Sequence, residues 1–106
     1  WNPKTADDVK AVVDGAKAEE NAFMRQSTSY WEMAFSIVNT GAVDSALFSK
    51  NCGEGMLFSI KCKALCAKFP DVWKRTMPEA EAFIQANPSL APRVEGFTKR
   101  IAAQLA

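Results

Sequence analysis

The chain has 106 residues, enough for one hydrophobic core and too few for two. Its 13 lysines and arginines nearly balance its 12 aspartates and glutamates, giving a net charge of +1, and histidine is absent. The hydrophobic fraction of 48% is typical of a folded domain and not of a disordered chain. Ser-His-Asp and Cys-His catalysis are excluded, and no apolar run reaches the roughly 18 residues of a membrane span. We therefore expect a single domain over residues 1–106.

Cysteine usage indicates the compartment. The three cysteines, at 52, 62 and 66, are odd in number and low in density, which is not a disulfide framework, so we expect a cytoplasmic protein. The chain begins at Trp1 and not at methionine, which suggests trimming upstream. A leader or anchor removed there would instead make the protein periplasmic or membrane-anchored.

Helical periodicity begins close to the first residue. Thr5 and Asp8 have the spacing of a capping box, in which each side chain bonds the backbone N–H of the other residue. Apolar residues then recur at helical spacing: Val9, Val12, Val13 and Ala16. Gly15 lowers the stability of this first helix and marks either a break or a weak point in it.

A longer helix is predicted over residues 18–39. Its expected buried side carries Phe23, Tyr30, Trp31, Ala34 and Val38. Gly41 is placed to end the helix, because glycine adopts the left-handed conformation at little cost. Asp44 then caps a short helix that continues to Phe48.

Prolines organise the second half of the chain. Pro70 ends the middle helix, and Pro78 suits the first turn of the next one. A last helix starts at Ser89 or near Pro92 and carries apolar residues at three- and four-residue spacing: Val94, Phe97, Ile101 and Leu105. No window alternates as a strand would. The sequence therefore predicts an all-α bundle of about five helices, some of them short.

Residues 54–69 form the most informative segment. At about 100° per residue, one side of this helix carries Met56 and Ile60, and the opposite side carries Phe58, Leu65 and Phe69. A helix that is apolar on two opposite sides must bury both. It is therefore either the central helix of the domain or a helix shared with a partner chain.

The cysteines are better explained by packing than by chemistry. Cys62 and Cys66 lie one helical turn apart, but zinc needs four ligands, and the chain offers no second cluster of Cys or His. We expect no metal and no cofactor. Cys52 follows a loop residue and precedes Gly53, so we expect it to be the most exposed and most reactive thiol.

Other motifs have ordinary explanations. The run Gly53-Glu54-Gly55 lacks the Lys-Ser/Thr ending of a phosphate-binding loop, and a helix start explains it. Lys61 and Lys63 point about 160° apart on a helix and cannot form one basic strip, so we expect no nucleic-acid partner.

One stretch of sequence resembles a known kind of domain. The similarity rests on four segments: Tyr30-Trp31-Glu32-Met33-Ala34, Gly41-Ala42-Val43-Asp44, Leu47-Phe48 and Gly53-Glu54. Together they resemble small, all-helical, uncharacterised bacterial domains of unknown function, over about 40 of the 106 residues. After Phe69 the sequence departs from that pattern. The resemblance implies a bacterial origin and a helical fold, and it transfers no activity and no catalytic residue.

Two functional hypotheses follow from the apolar residues. The first is a non-catalytic interaction module, with a homodimer as one form of it, in which one side of the 54–69 helix meets a partner. The second is a binder of a small-molecule or lipid-like ligand in an aromatic-lined pocket between helices. The same surface serves both hypotheses: Phe58, Leu65, Phe69, Trp73 and Trp31. An enzyme that uses the cysteines is a weaker alternative, since a general base would have to be Glu, Lys or Tyr.

Overall fold

Six α-helices and no β-strand make up the chain in a computed structural model that describes residues 1–106. The helices are α1 (Ala6–Val13), α2 (Ala18–Asn39), α3 (Ser45–Ser49), α4 (Gly53–Lys68), α5 (Pro78–Ala86) and α6 (Ala91–Leu105). A 3-10 turn, Pro88–Leu90, leads into α6. With 74% of residues in helices, the all-α prediction is confirmed. None of the helices combines the length and the hydropathy that crossing a membrane requires.

The start of α1 follows the predicted capping box. The Thr5 hydroxyl accepts a hydrogen bond from the Asp8 N–H at 3.2 Å. The Asp8 carboxylate accepts from the N–H groups of Lys4 and Thr5 at 3.0 and 3.1 Å. These backbone bonds favour the ionised carboxylate and hold the pKa of Asp8 below its ordinary value. Gly15 has φ +82° and lies beyond the end of α1, so it marks a break between helices.

Three further helix ends agree with local sequence signals. Gly41 has φ +86°, the left-handed conformation expected after α2. The Asp44 carboxylate accepts a hydrogen bond from the Leu47 N–H at 3.0 Å and caps α3. Pro78 is the first residue of α5. The last helix agrees with the second of its two predicted starts: Ser89 lies in the 3-10 turn, and α6 begins at Ala91, next to Pro92.

Helix α4 lies at the centre and packs against α2, α5 and α6. Met56 and Ile60 are buried on one side, and Cys62 and Leu65 are buried on the other. The prediction that this segment is the central helix is therefore confirmed. Helices of the same chain pack on both apolar sides, and the side that carries Phe58 is covered only in part.

The crossing of α2 over α4 depends on a glycine. A Cβ atom at Gly55 would lie 2.5 Å from Cε3 of Trp31 and 2.9 Å from Cε2 of Phe35. Both distances are shorter than real Cβ contacts. Gly55 therefore allows the two aromatic rings of α2 to lie directly on the backbone of α4.

The core is one cluster of 16 buried hydrophobic residues. Phe35 lies within it, with ring centroids 5.2 Å from Phe48 and 5.6 Å from Phe83, and these last two are 5.3 Å apart. The three rings join α2, α3 and α5, because each helix contributes one of them.

The buried side of α2 differs from the prediction. Phe23 and Tyr30 were expected to be buried, but they are 62% and 59% exposed. Val38 is buried as predicted, and the other two buried residues of α2 are Thr28 and Phe35. On a helix, Phe23 and Tyr30 point about 100° away from the buried face. Because α2 carries apolar residues on both faces, periodicity alone did not distinguish the covered face from the open one.

Candidate functional site

Three of the five residues predicted to form a surface line one cavity. Phe58, Leu65 and Trp73 meet beside α4, where Leu65 and Trp73 are buried and Phe58 is half-buried. Trp31 and Phe69 lie elsewhere. Trp31 lies on Gly55, and Phe69 belongs to the core with its ring centroid 5.5 Å from the Lys68 ammonium.

The cavity has a volume of about 460 Å³ and opens to solvent. Its apolar walls come from α1, α2, α4 and the segments around residues 1 and 73. They consist of Trp1, Val12, Phe23, Met24, Phe58, Cys62, Leu65 and Trp73. Four polar residues complete the lining: Glu19, Glu20, Thr28 and Lys61. An apolar concavity with a few polar groups is the usual form of a small-molecule site.

Helix periodicity explains the wall that α4 provides. Phe58, Lys61, Cys62 and Leu65 follow the spacing i, i+3, i+4, i+7 and share one face. The opposite face of α4 packs on α5 and α6, so this face is directed towards α1 and α2.

The break at Gly15 allows α1 to fold back beside α2. The Asn21 side-chain amide then donates to the Val12 carbonyl oxygen at 2.8 Å, which satisfies a carbonyl group at the end of α1. The result is that Val12 of α1 and Phe23 of α2 line the same cavity.

Two aromatic pairs border the cavity. The rings of Trp1 and Trp73 are 5.9 Å apart, and those of Phe23 and Phe58 meet edge to face at 6.2 Å. The Trp73 indole N–H donates to the Arg75 carbonyl oxygen at 2.8 Å. Because that polar group is already satisfied, Trp73 contributes an apolar surface to the wall.

Lys61 is the charged residue of the cavity that is partly removed from water. Its ammonium donates to the Trp1 carbonyl oxygen and to Oδ1 of Asn2, the second at 3.1 Å. The nitrogen also lies 6.0 Å from the Trp1 ring centroid, within cation–π range. Burial penalises the charged form and lowers the pKa of Lys61 below its ordinary value.

The remaining polar groups differ in their environment. The buried Thr28 hydroxyl donates to the Met24 carbonyl oxygen at 2.7 Å and accepts from Nη1 of Arg75 at 3.1 Å. Glu19 and Glu20 are exposed at the edge of the cavity. Thr28 is therefore internally satisfied, whereas the two glutamates face water.

The expectation that Cys52 is the most exposed thiol is wrong. Its exposed fraction is 0%, because the backbone at the start of α4 turns its side chain into the core. Burial also raises the pKa of the Cys52 thiol, which opposes reactivity. Cys66 is the partly exposed cysteine, and burial raises its pKa as well.

The thiol of the cavity, Cys62, is not an activated nucleophile. Burial raises the pKa of Cys62 to about 12, so its thiol stays protonated at neutral pH. No group of three or more Cys, Asp or Glu side chains is placed to hold a metal ion. The lining is thus suited to noncovalent binding.

Five apolar wall residues were not predicted as part of the site: Cys62 of α4 and, from outside that helix, Trp1, Val12, Phe23 and Met24. The apolar face of α4 was visible in the sequence, but its neighbours are 34 or more positions earlier in the chain. A helical pattern in one segment does not identify which distant segment packs on it. Phe23 is the one of these residues that the sequence could have indicated as a wall residue. Both faces of α2 are apolar, and considering each of them in turn as the open face would have included Phe23.

Comparison of the chain with family models, curated proteins and solved structures finds no match in any of the three. The functional argument therefore depends on the site itself.

Proposed function

We propose that the protein binds a small, mainly apolar molecule in the cavity between α1, α2 and α4. The observation that carries the proposal is the cavity itself: its volume of about 460 Å³ lies in the roughly 300–1,000 Å³ range of ligand pockets. Eight of its 12 lining residues are hydrophobic. Its one thiol, Cys62, stays protonated at neutral pH, which favours carrying or sensing over thiol chemistry.

The exposed aromatic residues at the edge supply a driving force. Phe23 is 62% exposed and Trp1 is 46% exposed, although both line an apolar cavity. A ligand that covers them removes apolar surface from water, which contributes roughly 25 cal/mol per Å². Binding thus completes the burial that the chain alone leaves unfinished.

A neutral fluorescent probe, N-phenyl-1-naphthylamine, tests the proposal. We expect its emission to rise saturably, with one probe bound per chain. Phe23→Ala removes one wall and should weaken binding several-fold. Tyr30→Ala is the matched control, because Tyr30 is 59% exposed on the same helix and lies outside the cavity. Absence of saturable binding, or equal effects of the two variants, would contradict the proposal.

Self-association is a second candidate function, and one feature of α2 favours it. Four exposed apolar residues form a stripe along this helix: Phe23, Tyr30, Met33 and Ile37. Phe23, Tyr30 and Ile37 recur every seven residues, which is the spacing of a helix-pairing seam. The edges of the stripe are small and uncharged: Ser27 and Ala34 on one side, Ser29 and Ser36 on the other. Along these two edges a second copy meets no charged side chain.

Light scattering coupled to size-exclusion chromatography tests the second candidate. We expect the mass to rise towards that of a dimer with concentration, and Tyr30→Glu to abolish the rise because it puts a charge in the seam. Gln85→Glu, exposed on α5 and outside the stripe, is the control. A wild-type chain that stays monomeric at every concentration would dismiss self-association without affecting the ligand proposal.

A further inference from the structure

The Lys61 ammonium is half-buried and has no acidic partner. The one ion pair within 4.0 Å in the molecule joins Lys99 and Glu95, both on the exposed surface of α6. Lys61 instead meets two neutral oxygens, the Trp1 carbonyl and the Asn2 amide. A charge that is removed from water without a counter-ion is unfavourable, so this site is electrostatically incomplete.

The ammonium also has unused bonding capacity. A lysine side chain has three N–H donors, and two are engaged by the oxygens of Trp1 and Asn2. The indole face of Trp1 adds a cation–π contact but accepts no conventional hydrogen bond. One donor therefore remains for a ligand, at a residue that lines the cavity.

The two glutamates at the cavity edge do not supply the missing counter-charge. Glu19 and Glu20 are exposed, and neither lies within 4.0 Å of the lysine nitrogen. Water screens them, so pairing a ligand cation with either gains little. The partly desolvated Lys61 gains more from a ligand anion, because charge-assisted hydrogen bonds strengthen as water is excluded.

We propose that the ligand is an amphipathic monocarboxylate whose carboxylate pairs with Lys61 and whose apolar part lies among Phe23, Phe58 and Trp73. This inference rests on the proposed ligand-binding function and specifies the chemical class of the ligand. The carboxylate accepts a hydrogen bond from the free N–H of Lys61 and neutralises the charge of the ammonium, while the apolar part covers the aromatic walls.

Two probes of equal chain length test the inference. Decanoate and decan-1-ol, kept below the concentrations at which they aggregate, compete with N-phenyl-1-naphthylamine for the cavity. We expect the wild-type chain to bind decanoate about tenfold or more tightly than decan-1-ol, the ratio typical of a hydrogen-bonded charge. Lys61→Met keeps a side chain of similar length without the charge and should remove the preference.

Lys63→Met is the matched control, since Lys63 is exposed on α4 outside this cavity and its loss should leave the preference intact. Equal affinity of the wild type for both probes would overturn the inference while leaving the cavity as a binding site. The same holds if Lys61→Met retains the preference for decanoate. If neither probe displaces the bound dye, the inference fails although the cavity still binds the dye. If the dye itself does not bind, the ligand-binding function fails and the inference fails with it. The wild-type comparison needs no variant, so it stands even if Lys61→Met folds poorly.

Discussion

Gly55 lies inside α4, where helix propensity alone would favour alanine by about 1 kcal/mol. Contacts reverse that preference, because a Cβ atom there would meet the ring of Trp31 at 2.5 Å. We expect Gly55→Ala to lower the free energy of unfolding by about 1–3 kcal/mol, the usual cost of overpacking. Urea denaturation followed by circular dichroism measures the change.

Gly96 provides the control for that substitution. It lies inside α6, and a Cβ atom there would meet nothing within 4 Å. Gly96→Ala should therefore raise the free energy of unfolding by about 0.5–1 kcal/mol. Stabilisation by both alanines would show that the rings of α2 move aside and that the close crossing does not constrain the fold.

Cys62 makes the stability of the fold depend on pH in the alkaline range. Burial raises its pKa from 9.0 to about 12, so between these values the unfolded chain loses a proton that the native chain keeps. Stability is then complete below pH 9.0 and falls as the pH rises to about 12. The slope for this one thiol is at most about 1.4 kcal/mol per pH unit.

A comparison with Cys62→Ala isolates this effect from the other groups that titrate at high pH. The wild type should be the more stable chain at pH 7, because alanine leaves a small cavity. We expect the difference in the free energy of unfolding to shrink from pH 8 to 11. Curves that stay parallel over this range would show that Cys62 does not titrate differently in the two states.

Between elements, Glu32 of α2 caps α5. Its carboxylate accepts hydrogen bonds from the N–H groups of Glu79 and Ala80, at 2.9 and 3.0 Å. No side chain caps α5 from its own N-cap position, Met77. We expect Glu32→Ala to lower the free energy of unfolding by about 1–2 kcal/mol, because two partly buried donors lose their acceptor. Thermal and urea denaturation both report this loss.

Glu95→Ala is the surface comparison for Glu32. Glu95 pairs with Lys99 at 3.1 Å on the exposed side of α6, and such pairs contribute about 0.3–0.5 kcal/mol. If the two alanine variants cost the same, the Glu32 carboxylate has no special role at the start of α5.

The N-terminal helix caps that the sequence predicted are those whose hydrogen-bond partners lie within a few residues of each other. Thr5 and Asp8 bond each other across three residues, and Asp44 bonds the Leu47 N–H across the same distance. The Glu32 cap joins residues 47 and 48 positions apart, so no local pattern indicates it. The sequence therefore predicted the N-terminal caps of α1 and α3 but not the cap of α5.

Burial of individual residues was harder to predict than helix positions. Cys52 follows a turn and is adjacent to Gly53, which is typical of an exposed loop, yet the start of α4 places it in the core. Phe23 and Tyr30 fit an apolar stripe, yet α2 packs through another face. In both cases the outcome depends on which neighbour covers the segment, and that is a property of the packing.

At the scale of the whole molecule, the two apolar sides of α4 predicted either a central helix or a helix shared with a partner chain, and α4 is central. The apolar residues indicated a pocket between helices, but the pattern of α4 did not identify α1 and α2 as the segments that form its other walls. Phe58, Leu65 and Trp73 were found as candidates from their apolar character, whereas Lys61 was considered only as part of a basic strip that it cannot form with Lys63. The partial burial of Lys61 arises from Asn2 and Trp1, about 60 positions earlier in the chain.

The single core cluster predicts cooperative unfolding. Its 16 residues come from α1, α2, α4, α5 and α6 and from the connecting segments, so no helix has a core of its own. We expect one urea transition, with a slope of about 1–3 kcal/mol per M, that coincides in far-UV circular dichroism and in tryptophan fluorescence. Trp31 reports the α2–α4 crossing and Trp73 reports the cavity wall, so fluorescence samples both regions. Helix α1 forms part of the cavity wall but contributes only Val9 to the core cluster, so the wall is the region with the weakest connection to the core. A fluorescence change that precedes the loss of helicity would therefore mean that the cavity wall opens as a separate unit.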